Sequence, residues 1–262
     1  MKISLIVSTY NREDALRLVL NSIKAQNDDY FEVIVADDGS DARTRAVVES
    51  FIDLSGIPAT HVWQEDLGFR LAAIRNRAIE KSSGDYLVFL DGDCVLQPDF
   101  VCRHRSLATP NHLVTGGRIL LSKEASRELI ESNNWDYPIF KKRLISYRLR
   151  GQVNRLLPAY LKFGDSSLRN YSTFVWRRIK GCNLACWKKD ALVIDGFDES
   201  ITGWGHEDAD FVFRLHVKGV VRKSGSWATE VFHLYHPEPD KFKARENENL
   251  VRQRIMSALR AR

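Results

Sequence analysis

Two acidic clusters, far apart in the chain, carry its clearest chemistry. In the first, Asp91 and Asp93 flank Gly92 directly after the apolar run 86–90. Side chains two positions apart point to the same side of an extended chain, so this pair can hold a hard divalent cation beside a diphosphate. Such a cation stabilises the charge that develops on a leaving phosphate. An ordinary turn is the alternative, but a buried strand before the pair and another acidic turn upstream favour the metal site.

The second cluster is Glu207 and Asp208, which follow the turn 203–205 and precede a helical pattern. A carboxylate here can take the proton from an acceptor hydroxyl as its oxygen attacks the anomeric carbon of a sugar. Such assistance contributes about 100- to 10,000-fold in rate. Trp204, in the same turn, can stack on a sugar face. The alternative role for the two carboxylates is to cap the helix that follows.

Three further side chains have the chemistry to bind a nucleotide. Asp37 and Asp38 can accept hydrogen bonds from a uracil imide and from ribose hydroxyls. The alternative for them is an Asx turn that stabilises only itself. Arg75 lies on a predicted helix and can donate charge-assisted hydrogen bonds to a diphosphate. The alternative for Arg75 is an ordinary exposed arginine.

Two histidines, His233 and His236, lie near the end of the chain. One imidazole added to aspartate oxygens makes a site that suits Mn²⁺ as well as Mg²⁺. A single histidine near a loop is more often a surface residue. Their spacing alone therefore leaves the role of these histidines open.

Strands and helices alternate in the apolar pattern of the first part of the chain. Short apolar runs predict buried strands, and amphipathic repeats between them predict helices. The predicted strands are 3–8, 32–36 and 86–90, and the predicted helices lie after a capping residue, Asn11, around 47–52, and over 69–81. This alternation indicates an α/β fold with a doubly wound, mostly parallel sheet flanked by helices.

The candidate residues lie at the carboxyl ends of these predicted strands. Ligands of doubly wound sheets bind beyond such ends. One crevice can therefore gather side chains that are scattered in the sequence, namely Asn11, Asp37, Asp38, Asp91 and Asp93. The first strand is not followed by GxGxxG, and GxxxxGK[ST] does not occur. Both absences argue against a dinucleotide fold and a P-loop.

The length and composition indicate one compact body. The chain has 262 residues, of which 44% are hydrophobic, and this suffices for one large α/β domain. We predict a single domain over 1–240, with a donor half over 1–120 and an acceptor half over 121–240, followed by a basic helical tail over 241–262. The formal net charge of +5 attracts phosphates, anionic lipids or nucleic acid without distinguishing them.

The cysteines and the N-terminus indicate the compartment. Cys94, Cys102, Cys182 and Cys186 form no CxxC pair and have no zinc-ligand spacing. We therefore expect reduced thiols buried in the core rather than a disulfide or a metal site. The apolar stretch at the N-terminus is too short for a secretory signal or a membrane span, so we expect a cytoplasmic protein.

Residues 122–180, the basic insert, form an irregular stretch that is rich in basic and aromatic residues. Asp165 is the only acidic residue between positions 141 and 180. The basic residues between positions 141 and 180 are Lys141, Lys142, Arg143, Arg148, Arg150, Arg155, Lys162, Arg169, Arg177, Arg178 and Lys180. A solvated helical face, contact with an anionic membrane surface, and a charged lipid-linked acceptor all stay open as interpretations. The tail is also basic, and its apolar residues Leu250, Ile255 and Leu259 are spaced for an amphipathic helix.

Several ordered motifs resemble known enzymes. The residues 8–12, 37–40, 75–76 and 91–93 are similar to the donor half of family 2 glycosyltransferases with the GT-A fold, and the match covers most of 3–101. The second half of the chain resembles the β-1,4-galactosyltransferases and the galactosyltransferase-like half of bacterial chondroitin polymerases. The residues that carry this resemblance are 181–185, 196–199, 203–208 and 236–249.

The resemblance implies an inverting transferase that uses a UDP-sugar and a divalent metal, with Mn²⁺ favoured over Mg²⁺. It implies nucleotide-sugar contacts from Thr9, Tyr10, Arg12, either Asp37 or Asp38, Arg75, Asp91, Asn183 and Trp204. It implies metal ligation by Asp93, His236 and Asp91, catalysis by Asp208 as the base, and a grip on sugar hydroxyls by Glu207. The chain departs from the family pattern at His206, where the pattern usually has glycine. Because this bulkier side chain lies beside Glu207 and Asp208, the resemblance does not specify which sugar is transferred.

We expect an enzyme that transfers a hexose or an N-acetylhexosamine to a bacterial surface glycan or glycolipid, such as lipopolysaccharide or capsule, with formation of a β-linkage. The basic insert or tail leaves open peripheral contact with the inner face of the cytoplasmic membrane. One alternative is a nucleic-acid binding or processing protein that uses the aromatic residues of the insert, namely Tyr147, Tyr160, Tyr171, Phe174 and Trp176. Another is an inactive sugar-binding module. The acidic clusters would repel a phosphate backbone, so nucleic acid is not the expected partner.

Overall fold

The computed structural model describes residues 1–132, 134–171, 173–176, 179–237 and 241–260. Its strands are β1 Ile3–Thr9, β2 Phe31–Asp37, β3 Ala59–Trp63, β4 Tyr86–Asp91, β5 Cys94–Val95, β6 His112–Thr115, β7 Arg118–Leu120, β8 Asn183–Trp187, β9 Val221–Ser224 and β10 Val231–His233. Its helices are α1 Glu13–Lys24, α2 Ala42–Ser55, α3 Leu71–Lys81, α4 Phe100–Leu107, α5 Lys123–Ser132, α6 Tyr137–Leu149, α7 Lys188–Val193, α8 Glu207–Val217 and α9 Ala244–Arg260. Among the helices described, none is long and apolar enough to cross a bilayer.

A seven-stranded sheet forms the centre, in the order β3-β2-β1-β4-β8-β6-β9. β1 pairs in parallel with β2 and β4, and β8 runs antiparallel to β4 and β6. Every residue of β1 and β2 is buried, because a hydrophobic cluster with helices lies on each face of the sheet. Burial on both faces explains the continuous apolar runs of these strands. The predicted α/β class with a mostly parallel sheet is confirmed.

The carboxyl ends of β1, β2 and β4 lie side by side. In the parallel register, Thr9 pairs with Asp37 and Ser8 pairs with Asp91. Each of these strands continues one residue further than its predicted end, so these two aspartates are the last residues of their strands rather than the first of a turn. This register delivers the polar residues of three strands to one edge of the sheet.

The first helix begins differently from the prediction. α1 starts at Glu13 with Arg12 as its N-cap residue, and no side chain caps it. Asn11 has a φ of 45°, and its side chain accepts a hydrogen bond of 2.9 Å from the Asp41 N–H. The Asn11 N–H donates to Ser40 Oγ at 2.9 Å. The prediction that Asn11 caps this helix is therefore wrong, and Asn11 instead ties the end of β1 to the loop after β2.

A second, three-stranded sheet in the order β5-β10-β7 lies beside the first. β10 pairs antiparallel with β5, so that His233 is opposite Cys94, and parallel with β7, so that Phe232 is opposite Ile119. β5 starts directly after Asp93, and the pairing therefore brings the end of the chain to the first acidic cluster. The sequence analysis did not predict this sheet.

The basic insert is only partly helical. It contains α5, α6 and two short 3₁₀ turns, Leu157–Ala159 and Ser167–Arg169, joined by irregular chain. Phe140, Leu144 and Tyr147 of α6 are buried in the same cluster as β1. The insert is therefore built onto the common core. The predicted basic residues Arg177 and Arg178 lie outside the described part of the chain.

The C-terminal tail forms the predicted helix, α9. Val251 is fully buried, and Leu250 and Ile255 pack against the cluster that contains α8. The side chain of Leu259 is outside the described part. Burial of Val251 fixes α9 against the start of α8.

Candidate active site

A cavity of about 1000 Å³ lies at the carboxyl ends of β1 and β4, between these strands and the start of α8. Ligand pockets typically measure about 300–1,000 Å³, so this one has room for a large polar ligand. The cavity is lined by the predicted site residues Thr9, Tyr10, Arg12, Asp38, Arg75, Asp91, Asp93, Trp204, Glu207, Asp208 and His236. The structure therefore brings together side chains from both halves of the chain.

Asp93 lies between two imidazoles. His233 Nε2 is 3.5 Å from Asp93 Oδ1, and His236 Nε2 is 3.6 Å from Asp93 Oδ2. One potential ligand atom from each of the three residues lies within 4.8 Å of the others. Burial lowers the pKa of His233, although Asp93 opposes this, and the shift favours the neutral imidazole, the form that can donate a lone pair to a cation. This mixed oxygen and nitrogen donor set fits Mn²⁺.

Asp91 faces the cavity beside this group. Its Oδ1 accepts a hydrogen bond of 3.1 Å from Arg75 Nη2, and its side chain keeps 37% of its surface exposed to the cavity. Removal from bulk water raises the pKa of Asp91 to about 6; Asp93 and Asp208 act in the same direction, and Arg75 opposes them. A cation or a hydroxyl donor bound nearby would favour the ionised carboxylate.

Arg75 connects the two acidic clusters. Its guanidinium is buried, with Nη1 3.3 Å from Glu207 Oε1 and Nη2 3.1 Å from Asp91 Oδ1. Nε donates to Ser8 Oγ at 3.3 Å, and Nη2 also donates to the Gly181 carbonyl at 3.4 Å. The alternative of an ordinary exposed arginine is excluded. Because the N–H groups of Arg75 are directed at acceptors within the protein, its main role is to hold the carboxylates of Asp91 and Glu207 in place.

Glu207 and Asp208 are the first two residues of α8, where the helix dipole favours negative charge. Asp208 Oδ2 accepts a 2.7 Å hydrogen bond from the Gly181 N–H, and Oδ1 accepts one of 2.7 Å from the Ala209 N–H. These bonds fix the orientation of the Asp208 carboxylate. Burial raises the pKa of Glu207 to about 7; the charge of Asp208 adds to this, and Arg75 opposes it.

The strand end at Thr9 has an unused polar atom. Thr9 is buried at the cavity wall, and its Oγ1 has no hydrogen-bond partner among the described residues. A buried hydroxyl without a partner is costly, and a ligand can supply the missing bond. A Cβ at Gly92 would lie 3.0 Å from the Ser8 carbonyl oxygen and 3.2 Å from Thr9 Oγ1. Glycine between the two aspartates therefore permits the close approach of β1 and the acidic turn.

The structure corrects the sequence prediction for Asp37 and Asn183, because both are fully buried and neither lines the cavity. Asp37 Oδ1 accepts from the Ser40 N–H, and Oδ2 is 3.0 Å from His61 Nε2. Burial acts to raise the pKa of Asp37, but the bonds from His61 and Ser40 outweigh it and lower the pKa. Asn183 Nδ2 donates to the carbonyls of Gly117 and Thr229, so this residue joins chain segments rather than binding a ligand.

Two aromatic side chains at the cavity wall are exposed. Tyr10 is 49% exposed and donates its hydroxyl to Asp66 Oδ2 at 2.8 Å. Trp204 is 38% exposed, and Lys241 Nζ lies 5.5 Å from its ring centroid. Both rings are accessible for stacking on a planar base or on a sugar face.

His206 forms a stack that the sequence analysis missed. Its φ of 73° is in the left-handed region, which explains why glycine is usual at this position. The imidazole stacks on Trp176 with a centroid distance of 5.5 Å and an interplanar angle of 28°, and the guanidinium of Arg252 lies 4.7 Å from the Trp176 ring centroid. Glu248 also lines the cavity. The inclusion of Glu248 in the motif 236–249 was the one sequence signal that α9 belongs to the site.

Comparison with known protein families identifies the chain. Residues 4–171, more than half of the sequence, match the family described as "Glycosyl transferase family 2". The chain belongs to glycosyltransferase family 2. In this family 2 protein, residues 169–237 match a second family, described as "N-terminal domain of galactosyltransferase". Both resemblances inferred from the motifs are confirmed.

Curated relatives agree with this family 2 assignment. Validoxylamine A glucosyltransferase of Streptomyces hygroscopicus subsp. limoneus is 30% identical over 243 residues, which cover 88% of this chain and 52% of the relative. Chondroitin synthase of Escherichia coli is 28% identical over 264 residues, which cover 94% of this chain and 36% of the relative. The chain thus spans about half the length of the first relative and less of the second.

Solved structures of low sequence identity share the fold. A mannosyltransferase of Pyrobaculum calidifontis, PcManGT, in complex with GDP-Man and Mn²⁺, superposes with a TM-score of 0.60 at 17% identity, covering 90% of this chain and 58% of that one. Residues 1–349 of TarS from S. aureus in complex with UDP give a TM-score of 0.57 at 17% identity, covering 96% and 63% of the respective chains. The GT-A fold predicted from the resemblance is confirmed.

Proposed function

We propose that the protein is a metal-dependent, inverting glycosyltransferase. It transfers a hexose or an N-acetylhexosamine from a UDP-sugar to a hydroxyl of a bacterial surface glycan or glycolipid, such as lipopolysaccharide or capsule. One observation carries the proposal. Asp93 and His236, which with His233 form the Asp93 imidazole cluster, line the same cavity as Asp208, whose carboxylate is held by two backbone N–H groups. Membership of family 2 supports the reaction class.

The donor nucleotide binds at the strand-end side of the cavity. Tyr10 and Asp38 line this side and offer a ring face and a carboxylate to the base and ribose. Thr9 Oγ1 supplies a free hydrogen-bonding atom. Asp91 is placed to accept from a ribose hydroxyl, and Arg12, 3.5 Å from Asp93, adds positive charge where the diphosphate would lie.

Asp93, His236 and His233 would hold the divalent cation, with Asp91 adjacent to them. When bound, the cation neutralises the charge that develops on the leaving UDP. The imidazoles favour Mn²⁺ over Mg²⁺, since Mg²⁺ prefers oxygen ligands. The solved neighbours with GDP-Man and Mn²⁺ and with UDP support a nucleotide sugar and a metal in this fold.

Asp208 is the general base on the acceptor side. Its carboxylate takes the proton of the acceptor hydroxyl while the oxygen attacks the anomeric carbon on the face opposite the diphosphate. Attack from that face inverts the configuration, so an α-linked donor yields a β-linked product. Trp204 stacks on a sugar ring, and Glu207 accepts hydrogen bonds from sugar hydroxyls. Arg75 holds Glu207 and Asp91 in register with one another.

The insert adds a surface for the membrane that carries such acceptors. On α6, Ile145 is 54% exposed and Leu149 is 84% exposed, beside the exposed Lys142 and Arg148. Basic and apolar side chains on one exposed face suit an anionic lipid surface. We include peripheral contact with the inner face of the cytoplasmic membrane in the proposal. We expect the protein to co-sediment with anionic but not with neutral vesicles, and Leu149→Ser to weaken this binding. Equal binding to both vesicle types would contradict the proposed membrane contact.

Nucleic-acid binding has less support in the insert. Tyr147 is buried, Trp176 is stacked on His206, and the guanidinium of Arg222 lies 4.3 Å from the ring centroid of Tyr171. A platform for bases needs aromatic faces open to solvent. The aromatic residues that suggested nucleic acid are instead largely engaged within the protein.

A panel of UDP-sugars, assayed for UDP release with and without Mn²⁺, tests the proposed function. We expect release with at least one hexose or N-acetylhexosamine donor, loss of release on chelation, and a β-linkage in the product by NMR. Asp93→Asn and His236→Ala should raise the Mn²⁺ concentration needed for half-maximal UDP release, while Asp99→Asn, at the N-cap of α4, is the matched control. If chelated protein released UDP as fast as Mn²⁺-loaded protein, the metal-dependent mechanism would be wrong.

A further inference from the structure

A second cluster of metal-ligating side chains lies next to the Asp93 group. Cys94, Cys182 and His233 are buried, and one ligand atom from each lies within 4.8 Å of the others. Two elements produce this convergence. The pairing of β10 with β5 sets His233 opposite Cys94, and Cys182 directly precedes β8. The role assigned to the cavity uses neither thiol.

The donor atoms suit a thiophilic cation. Zn²⁺ binds tetrahedrally, with bonds of about 2.3 Å to sulfur and about 2.0 Å to nitrogen, which separate the ligand atoms by roughly 3.5–3.8 Å. Since no two of the three ligand atoms are more than 4.8 Å apart, the cluster needs a contraction of at most roughly 1 Å. A fourth ligand is at hand, because Asp93 Oδ1 lies 3.7 Å from Cys94 Sγ and 3.5 Å from His233 Nε2.

The site also has an entry path. Cys182 and Asp93 both line the cavity, whereas Cys94 and His233 lie behind them. A cation can therefore enter through the cavity and reach the buried ligands without opening the core. The other two cysteines do not meet these conditions, since Cys102 is half-buried on α4 and Cys186 lies within β8.

We propose that Cys94, Cys182 and His233, completed by Asp93, form a binding site for a thiophilic divalent cation such as Zn²⁺. On binding, each thiol releases its proton to the solvent as its sulfur–metal bond forms, so no electrons are exchanged. His233 and Asp93 belong to this cluster and to the Asp93 imidazole cluster alike. A cation bound to the thiols therefore withdraws two ligands from the Mn²⁺ position.

The consequence for activity rests on the proposed function, but the binding does not. Zn²⁺ at the thiol site would exclude Mn²⁺ from its full ligand set, and UDP release would fall as Zn²⁺ is added at constant Mn²⁺. Because His236 is absent from the thiol cluster, His236→Ala should keep Zn²⁺ binding while it raises the Mn²⁺ concentration needed for UDP release. This variant separates the two sites.

Cobalt titration of the full chain, chelator-treated and kept reduced, tests the binding directly. We expect one equivalent of Co²⁺ to give thiolate-to-cobalt charge-transfer absorption in the near ultraviolet, and Zn²⁺ to abolish it. Cys94→Ser and Cys182→Ser each keep one of the two thiols, so each should lose about half or more of this absorption and weaken Zn²⁺ affinity by at least about tenfold. Cys186→Ser and Cys102→Ser, a buried and a half-buried thiol elsewhere, are the controls and should retain it.

Zinc-edge X-ray absorption on the wild-type protein gives a measurement that needs no variant. Scattering from sulfur at about 2.3 Å is expected if the thiols bind the ion. A spectrum with only nitrogen and oxygen neighbours, or charge-transfer absorption at full intensity in both Cys94→Ser and Cys182→Ser, would overturn the proposal. These outcomes are independent of UDP release, so failure of the thiol site and failure of the glycosyltransferase assignment can be told apart.

Discussion

Arg75 Nη1 lies 3.3 Å from Glu207 Oε1, and this buried ion pair joins the two halves of the chain. The same guanidinium reaches Asp91 at the end of β4. One residue therefore sets the spacing between the metal side of the cavity and its acceptor side. Because the guanidinium is a planar fork with several donors, no other side chain can replace both contacts.

Replacement of Arg75 by lysine should damage stability and turnover together. Arg75→Lys keeps the charge but cannot reach both carboxylates, and we expect a loss of about 3 kcal/mol in the free energy of unfolding. Misplacement of the carboxylates should lower kcat by about 100-fold. Denaturant unfolding and UDP-release kinetics measure the two effects. Arg77→Lys, on the exposed face of the same helix, is the control; similar losses in both variants would show that the ion pairs of Arg75 are not responsible.

The raised pKa of Glu207 predicts a pH dependence of stability. Because the pKa rises to about 7 in the folded metal-free protein, the folded state binds a proton that the unfolded state releases, and stability falls as pH rises from about 4.5 to about 7. Glu207→Gln removes this ionisable carboxyl group and with it this pH dependence. We therefore expect the variant to gain stability relative to wild type between about pH 5 and about pH 8. Denaturant unfolding at both pH values checks the sign, with the exposed Glu49→Gln as control, and a constant difference across the range would contradict it.

His206 is expected to control sugar selectivity rather than stability. His206→Gly relieves a left-handed conformation that costs about 1–2 kcal/mol but loses a stack worth about 0.5–1.5 kcal/mol. The free energy of unfolding should therefore change little. The vacated space beside Asp208 should change the ratio of kcat/KM between hexose and N-acetylhexosamine donors by about tenfold.

Asn111 offers a matched control for this substitution. It is exposed, has a φ of 59° and lies away from the cavity. Asn111→Gly should leave the selectivity ratio unchanged. If His206→Gly also left that ratio unchanged, the stack would have no part in donor choice.

The donor side of the site was readable in the sequence because β1, β2 and β4 are buried on both faces. Burial requires continuous apolar runs, so the strand ends and the aspartates that follow them can be located. The burial pattern could not show which of two adjacent aspartates, Asp37 or Asp38, faces the cavity. Asp38 lines the cavity, whereas Asp37, the last residue of β2, is turned into hydrogen bonds with His61 and Ser40. A difference of one position at a strand end depends on tertiary contacts.

The second sheet could not be predicted, since β5 and β10 have two and three residues and show no periodicity. Their pairing places His233 at Asp93 and opposite Cys94. Spacing rules for metal sites detect ligands that are close in sequence, and these ligands become neighbours only through folding. Arg252 and Trp176 also reach the cavity only through folding, so their contribution could not be predicted from the sequence.

The general-base role of Asp208 is the central claim, and Asp208→Asn tests it most directly. The asparagine keeps the size of the side chain and one of its two acceptor oxygens. Mn²⁺-dependent UDP affinity should therefore match wild type, while kcat falls by about 100- to 10,000-fold. Asp14→Asn is the matched control, because Asp14 also lies in the first turn of a helix and accepts from the next backbone N–H at 2.7 Å. Isothermal titration with UDP and steady-state transfer assays give both numbers. Transfer at the wild-type rate by Asp208→Asn would contradict the account.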